Sequence, residues 1–243
     1  MKQSIFTIIE NSPLTETVYK MTLSGDTGAI TKSGQFVNIK IDGMFLRRPI
    51  SVCDCEDDVL TLIYKVVGEG TEAMKNMTSG AKLDILTGLG NGYDLSKSGD
   101  TPMLLGGGVG VPPMYMLAKK LIAEGKSVKV VLGFNTKSEI FYEDEFRALG
   151  AEVAVTTVDG SYGARGFVTD VMASSDYSYF YTCGPEPMLK AIHKCSKTSG
   201  QFSFEERMGC GFGACMGCSC KTVTGYKRIC KEGPVLEKEE ILW

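Results

Sequence analysis

The stretch Met103-Leu104-Leu105-Gly106-Gly107-Gly108-Val109-Gly110-Val111-Pro112-Pro113 decides the fold of this chain. A short apolar run enters a glycine loop, and a helical pattern over residues 114–123 follows the loop. Strand, glycine loop and helix in this order predict the start of a βαβ unit, whose free helix amides favour a phosphate group. The Rossmann fingerprint G-x-G-x-x-G is incomplete, because Val111 occupies its sixth place. Taken alone, the loop therefore predicts either a nucleotide site or a tight turn.

Residues 99–200 continue this alternation of strands and helices. Further strands are predicted at 128–134, 152–157 and 177–181, and helices at 139–149, 168–173 and 187–197. Such alternation predicts a doubly wound parallel sheet, whose ligands bind beyond the carboxyl ends of the strands. The segment Cys183-Gly184-Pro185 follows the last of these strands, so we expect it at that edge of an α/β nucleotide domain spanning 99–200.

The first 98 residues show a different periodicity. Apolar and polar residues alternate in short runs at 4–9, 17–23, 36–41, 59–66 and 83–86. Turn-forming segments such as Asn11-Ser12-Pro13 and Ser33-Gly34 separate the runs. The pattern predicts an antiparallel β-barrel over residues 1–98, interrupted by one short helix at 71–77.

Two segments of the predicted barrel are candidates for anion binding. Arg47-Arg48-Pro49-Ile50-Ser51 lies at a strand end, where an Arg can bind a pyrophosphate through two hydrogen bonds. Gly68-Glu69-Gly70-Thr71 precedes the short helix, where Gly70 or Thr71 can cap the helix and offer amides to a phosphate. Taken separately, the first segment is more commonly an exposed basic corner, and the second is a turn.

The composition excludes several classes of function. With 243 residues, 43% of them hydrophobic and 23% charged, the chain is typical of globular rather than disordered proteins. A net charge of -3 provides no positive field for nucleic acid. The apolar stretch at 5–9 is too short for a signal peptide, and no apolar run approaches the ~18 residues of a membrane span. We therefore expect a cytoplasmic protein.

Five of the nine cysteines lie close together near the C-terminus. Three of them follow the pattern Cys210-x4-Cys215-x2-Cys218, and Cys230 comes after eleven further residues, as in plant-type [2Fe-2S] ferredoxins. Structural zinc usually takes two separated C-x-x-C pairs, and the single His193, which we interpret as a helix residue, leaves little room for Cys/His ligation. The spacing therefore predicts an iron-sulfur domain over residues 201–243.

Cys220 is the alternative fourth ligand. It would crowd four ligands into residues 210–220, whereas a hairpin predicted at Thr224-Gly225 returns the chain toward Cys230. We therefore assign Cys210, Cys215, Cys218 and Cys230 as ligands and interpret Cys220 as a small buried residue.

The order of these motifs, RxxS, GxGT, GGGxGxxP and CGPxxM, resembles the ferredoxin-NADP reductase superfamily over residues 1 to about 200. With the C-terminal segment EERMGCGFGACMGCSC and a later Cys, the whole chain is similar to the electron transfer subunits of class B, NAD-dependent dihydroorotate dehydrogenases. The resemblance implies FAD, one [2Fe-2S] cluster on the four cysteines above, and NAD as electron acceptor. The implied FAD site comprises Arg48, Pro49, Ile50, Ser51, Ile63, Tyr64, Lys65, Gly70 and Thr71. The implied NAD site comprises Gly106, Gly107, Gly108, Gly110, Cys183, Gly184 and Pro185.

The resemblance also implies a partner. Dihydroorotate would reduce FMN in a catalytic subunit, and electrons would pass through the cluster and FAD to NAD+, in pyrimidine biosynthesis. A (β/α)8 barrel for dihydroorotate oxidation takes about 250 residues. The predicted domains already occupy this chain, so we expect that reaction in another chain. The implied assembly is a heterotetramer of two plus two chains, and no residue of this chain is assigned as a catalytic acid or base.

Other functions use the same motifs. One is the small FAD and [2Fe-2S] subunit of an NADH-dependent ferredoxin:NADP oxidoreductase or sulfide dehydrogenase, a group in which Asp can replace the first cluster cysteine. Another is a zinc-stabilised nucleotide sensor without turnover. The residues after the second sheet strand, Asn135-Thr136-Lys137, include no acid to hold a ribose hydroxyl, so only the resemblance favours NAD over NADP.

Overall fold

The computed structural model describes all 243 residues and opens with a closed six-stranded barrel. Its strands are β1 Lys2–Pro13, β2 Val18–Ser24, β3 Phe36–Ile39, β4 Arg48–Glu56, β5 Val59–Lys65 and β6 Lys82–Leu89. They pair antiparallel in the order β1-β2-β5-β4-β3-β6, and helix α1, Glu69–Lys75, follows β5. Alternate apolar side chains such as Phe6, Ile8 and Leu62 fill the interior. The predicted barrel is therefore confirmed, and its origin is the period-two pattern of the strands.

Strand β4 is longer than the sequence pattern indicates. The pattern placed only a strand end near Arg48, whereas the strand continues to Glu56 and turns into β5 through Asp57 and Asp58. Both turn residues have positive φ angles, 48° and 59°. Asp54 and Glu56 alternate with Cys55 as in a strand, and both carboxylates pair with a lysine of another element.

The second half is a seven-stranded sheet with helices on its faces. Its seven strands are β7 Met103–Gly107, β8 Lys129–Phe134, β9 Glu152–Thr157, β10 Ala164–Arg165, β11 Phe180–Cys183, β12 Gly200–Ser203 and β15 Val235–Glu237. Between β12 and β15 the chain forms a separate hairpin of β13 Ser219–Thr222 and β14 Gly225–Arg228. The helices are α2 Pro112–Ala123, α3 Glu143–Ala148, α4 Val168–Ala173 and α5 Glu186–Cys195. None of the five α-helices is long and apolar enough to cross a membrane.

The strand order is β10-β9-β8-β7-β11-β12-β15, parallel except for β15. From β7 the chain winds outward in one direction through β8 and β9, and then returns to β11 on the other side of β7. The order therefore reverses between β7 and β11, which is the place where doubly wound sheets form a ligand crevice. The predicted doubly wound fold is confirmed.

Several local predictions differ from the structure. The helix predicted at 71–77 is Glu69–Lys75 with Gly68 as its N-cap, so Gly70 and Thr71 lie in its first turn and do not cap it. The helix predicted over 139–149 is confined to Glu143–Ala148, because Tyr142 has a left-handed φ of 67° that a continuous helix cannot include. The strand predicted at 177–181 is Phe180–Cys183. The predicted boundary after residue 200 falls inside β12, and both β12 and β15 belong to the sheet.

Helix α2 connects the barrel to the sheet. Its Leu117 lies in one buried cluster with Ile63 of β5. Lys119 of the same helix forms ion pairs with Asp54 at 3.0 Å and Glu56 at 2.6 Å, both on β4. The two halves therefore share a core, which fixes the polar segments of the barrel relative to the crevice of the sheet.

Candidate functional site

The four predicted cluster cysteines lie in two neighbouring pairs. The amide of Cys215 donates to Sγ of Cys210 at 3.4 Å, and the amide of Cys230 donates to Sγ of Cys218 at 3.4 Å. No group of three or more His, Cys, Asp or Glu side chains is arranged to hold a metal ion in this structure. The fold therefore brings Cys215 beside Cys210 and Cys230 beside Cys218.

The backbone of the cysteine loop favours ionised sulfur. Burial alone would raise the pKa of Cys210, but amides of the loop, including those of Phe212, Ala214 and Cys215, lower it to about 6. Burial and the neighbouring Cys218 raise the pKa of Cys230 to about 12. One thiol of the set is therefore prepared for metal binding by the fold, whereas Cys230 must lose its proton when a metal binds.

The hairpin predicted at Thr224-Gly225 is confirmed, since β13 and β14 pair antiparallel with Thr222 opposite Gly225. The prediction that Cys220 is buried is wrong: the residue is half-buried on β13, opposite Lys227. The strand places it beyond Cys218, on the segment that leads away from the loop, while the hairpin returns Cys230 to Cys218.

The cysteine loop rests on the barrel through Asn38. This residue of β3 is 1% exposed, and its Nδ2 donates to the carbonyl of Cys210 at 3.2 Å. The contact is close, because a Cβ at Gly211 would overlap Nδ2 of Asn38, and Gly211 has a φ of 78°. The Oδ1 of Asn38 is buried without a hydrogen-bond partner. Sequence reasoning missed Asn38, because a single Asn in a strand carries no local signal.

Arg47 and Arg48 have different environments. Arg47 pairs with Asp84 at 3.1 Å and donates to two backbone carbonyls of the barrel. Arg48 forms no ion pair; its guanidinium contacts the carbonyl of Leu46 and Sδ of Met44. A Cβ at Gly70 would overlap Nε of Arg48, so the two predicted anion segments meet at this point. Arg48 is therefore the arginine with charge available for an anion.

The other residues of the predicted FAD site have varied positions. Pro49, Ile50 and Ser51 are half-buried on β4, and Lys65 is exposed at the end of β5. Ile63 is buried against α2.

Two hydroxyl groups of this set are satisfied within the protein. Tyr64 lies inside the barrel and donates to Oδ1 of Asn11 at 3.0 Å, and burial raises its pKa to about 12. Oγ1 of Thr71 accepts from the amides of Val67 and Gly68 at 2.9 and 3.2 Å. Thr71 therefore shapes the loop before α1, and both side chains serve the fold of the segment.

The residues predicted for the nucleotide come together at the crevice. Gly106 of β7 is in register with Cys183 of β11, and a Cβ at Gly110 would overlap the carbonyl of Cys183. Gly107 likewise faces Met188, since a Cβ there would lie 2.5 Å from its Sδ. The two loops therefore touch through backbone, and only glycine permits this approach.

The thiol of Cys183 is half-buried at this edge. Burial raises its pKa to about 12, so the thiol is neutral at physiological pH. Gly108 has a φ of 51° and open space where a side chain would stand. Gly184 and Pro185 complete the second loop, and Pro185 precedes α5.

An acidic residue does reach the end of β8, which corrects the prediction from Asn135-Thr136-Lys137. Oε2 of Glu139 accepts from the backbone amide and the side chain of Asn135 at 3.0 and 2.9 Å. The 3-10 turn Lys137–Glu139 folds this carboxylate back, which a search of the strand end alone does not reveal. Nζ of Lys137 lies 5.7 Å from the ring centre of Tyr162.

Two domain families match the chain. Residues 205–242 match the iron-sulfur cluster binding domain of dihydroorotate dehydrogenase B. Residues 104–194 match the oxidoreductase NAD-binding domain. The first match contains all four paired cysteines, and the second contains the whole crevice.

Full-length relatives agree with these matches. The chain is 44% identical over 255 residues to the dihydroorotate dehydrogenase B (NAD(+)) electron transfer subunit of Bacillus pumilus, covering 99% of this chain and 98% of that one. The same subunit from Fusobacterium nucleatum is 44% identical over 252 residues, with 97% and 96% covered. Among solved structures, a chain of the NADH-dependent reduced ferredoxin-NADP oxidoreductase superposes with a TM-score of 0.89 at 27% identity, covering 98% of this chain and 90% of that one.

Proposed function

The chain belongs to the family of the electron transfer subunits of dihydroorotate dehydrogenase B (NAD(+)), and from this membership we propose that it holds FAD and a [2Fe-2S] cluster between a dihydroorotate-oxidising partner and NAD+. The relatives bear out the resemblance inferred from the motif order. In such a subunit the cofactors carry the redox chemistry, and the protein supplies binding, orientation and electrostatics. No side chain is assigned to an acid or base step.

The pairing of the four cysteines carries the proposal. Two irons bridged by sulfide need two thiolates each, whereas one zinc ion needs four ligands around a single centre. Cys210 with Cys215, and Cys218 with Cys230, supply two such pairs. When bound, the cluster would exchange one electron at a time, and FAD would exchange single electrons with it and a hydride with NAD+. The amides at the sulfurs favour the ionised thiolates that such a group requires.

Arg48 supports the assignment of FAD to the barrel. Its guanidinium has no carboxylate partner and lies against Gly70, where a pyrophosphate could approach both segments. We assign Arg48 to the pyrophosphate of FAD. Pro49, Ile50 and Ser51 of β4 would contact the flavin ring. Tyr64 and Thr71 hold the segment in shape, while Ile63, Lys65 and Gly70 contribute backbone and packing.

The crevice supports NAD binding at the other end. Gly108 has open space where a side chain would stand, while Gly106, Gly107 and Gly110 let the loop pack closely on its neighbours, so a nucleotide phosphate could approach the backbone amides beside Gly108. Cys183 would present a neutral thiol beside the nicotinamide, and Gly184 and Pro185 would form the opposite wall. A neutral group there does not disfavour the positive charge of oxidised nicotinamide.

The proposal includes an organisation and a partner. Residues 1–98 would bind FAD, 99–200 NAD, and 201–243 the cluster, although strands of the last segment complete the sheet. The partner would be an FMN-containing catalytic subunit, in a heterotetramer of two plus two chains. We expect the complex in the cytoplasm, where nine free cysteines stay reduced.

Composition of the purified chain tests the proposal directly. The full chain, co-expressed with its partner, is assayed for iron, acid-labile sulfide, zinc, FAD and FMN. We expect iron and sulfide in equal amounts, FAD on this chain, FMN on the partner and a red-brown colour. A colourless protein containing zinc, or a chain that binds no flavin, would overturn the assignment.

A further inference from the structure

Arg228 connects the segments that carry the four cysteines. It ends β14, where the ladder pairs it with Ser219, the neighbour of Cys218, and it precedes Cys230 by two residues. Its Nη1 donates to the carbonyl of Gly213 at 2.7 Å, in the loop that holds the first two cysteines. Arg228 therefore joins the loop of the first two cysteines to the hairpin that carries Cys218 and Cys230.

One peptide group relays this contact to a sulfur. The carbonyl of Gly213 accepts from Arg228, and the amide of Ala214, across the same peptide bond, donates to Sγ of Cys210 at 3.2 Å. Hydrogen bonds in a chain polarise one another, so a cation at the carbonyl makes the amide a stronger donor. Arg228 is thus connected to Sγ of Cys210 through this one peptide group.

Glu232 holds the guanidinium from the other side. Its Oε2 accepts from the backbone amide and Nε of Arg228 at 2.8 and 2.9 Å, and Oε1 pairs with Nη2. The guanidinium and the carboxylate therefore form an ion pair reinforced by a backbone hydrogen bond. The side-chain hydrogen bond to Glu232 is the largest cause of the raised pKa of Arg228. Opposite charges therefore stand beside the sulfurs.

We propose that Arg228 and Glu232 set the reduction potential of the cluster in opposite directions, Arg228 raising the potential and Glu232 lowering it. The inference rests on the proposed function, since it requires an iron-sulfur cluster on these cysteines. Reduction adds one negative charge to the site, which a nearby cation stabilises and a nearby anion destabilises. The side chains are 24% and 34% exposed, so solvent screens these charges only in part.

Potentiometric titration of the full chain, followed by electron paramagnetic resonance of the reduced cluster, tests this inference. We expect Arg228→Gln to shift the midpoint to lower potential and Glu232→Gln to shift it to higher potential. Arg228→Lys keeps the charge and should fall between Arg228→Gln and the wild type. Lys227→Gln is the matched control, because Lys227 lies on the same strand but pairs with Glu240 at 2.7 Å, and it should leave the midpoint unchanged.

The signs of the shifts decide the outcome. If Glu232→Gln lowers the potential, or if neither Arg228→Gln nor Glu232→Gln moves it further than Lys227→Gln, the inference is wrong. If Arg228→Gln does not fold or load, Glu232→Gln alone still decides by its sign. A wild-type chain without iron would contradict the proposed function. A wild-type chain with a cluster whose potential does not change in the variants would contradict only this inference.

Discussion

The side-chain amide of Asn38 donates a hydrogen bond to the backbone carbonyl of Cys210 over 3.2 Å, and this contact joins the barrel to the cysteine loop. In β3, Asn38 also pairs with Pro49, within the segment assigned to FAD. A single buried residue therefore adjoins both proposed cofactor sites.

Asn38→Ala is expected to loosen the cysteine loop. The change leaves the carbonyl of Cys210 without its donor, at a cost of about 1–3 kcal/mol in unfolding free energy. Chelator-induced bleaching of the cluster should become faster, while FAD content stays unchanged. Gln3→Ala is the control, because it removes an exposed amide that bonds only Asp84. Equal bleaching rates in both variants would contradict a positioning role for Asn38.

Cys230→Ser should remove the cluster, whereas Cys220→Ser should keep it. The reason is that the hairpin brings Cys230 to Cys218, while Cys220 lies opposite Lys227. Iron, acid-labile sulfide and visible absorbance of both purified variants check this. The ligand assignment is wrong if Cys220→Ser loses the cluster and Cys230→Ser retains it.

Arg48→Ala should weaken FAD binding about ten- to a hundredfold, since loss of a charge-assisted hydrogen bond costs about 1.5–3 kcal/mol. Flavin content after dialysis measures the effect. Arg147→Ala serves as the control, because this arginine pairs with Glu143 on the surface of α3. Full FAD retention by Arg48→Ala would return Arg48 to the class of ordinary surface charges.

Gly110→Ala should abolish reduction by NADH while leaving iron and FAD in place. A Cβ at this position overlaps the carbonyl of Cys183, so the two crevice loops must separate. Anaerobic flavin bleaching by NADH is the measurement. The control Gly28→Ala, where a Cβ meets only Asp26 at 3.3 Å, should behave like the wild type. Unchanged NADH reduction by Gly110→Ala would place the nucleotide elsewhere.

Protein depleted of its cluster but retaining FAD should still reduce an artificial dye with NADH. Reconstituted with the FMN subunit, it should lose NAD+ reduction by dihydroorotate, because the proposed connection to the partner lies in the cysteine loop. Both activities are followed by absorbance, before and after cluster reconstitution. Full rates of both reactions without the cluster would remove it from the electron path.

The sequence by itself determined the features that depend on neighbouring residues. The spacing of Cys210, Cys215 and Cys218, the glycine loop after β7 and the hairpin that returns Cys230 are all local, so their residue types and intervals predict them. The barrel and the doubly wound sheet follow from hydrophobic periods of the same kind. Family membership could be inferred because these motifs occur in one order.

Only the tertiary structure decided the contacts between distant segments. Asn38 and Cys210 are 172 positions apart in the sequence. Arg228 donates to the carbonyl of Gly213, which lies fifteen positions before it. The availability of Arg48 rather than Arg47, and the return of Glu139 to the end of β8, likewise depend on which partner each charge meets. Such contacts follow from packing between elements, and the spacing of residues in the sequence does not show which elements will pack together.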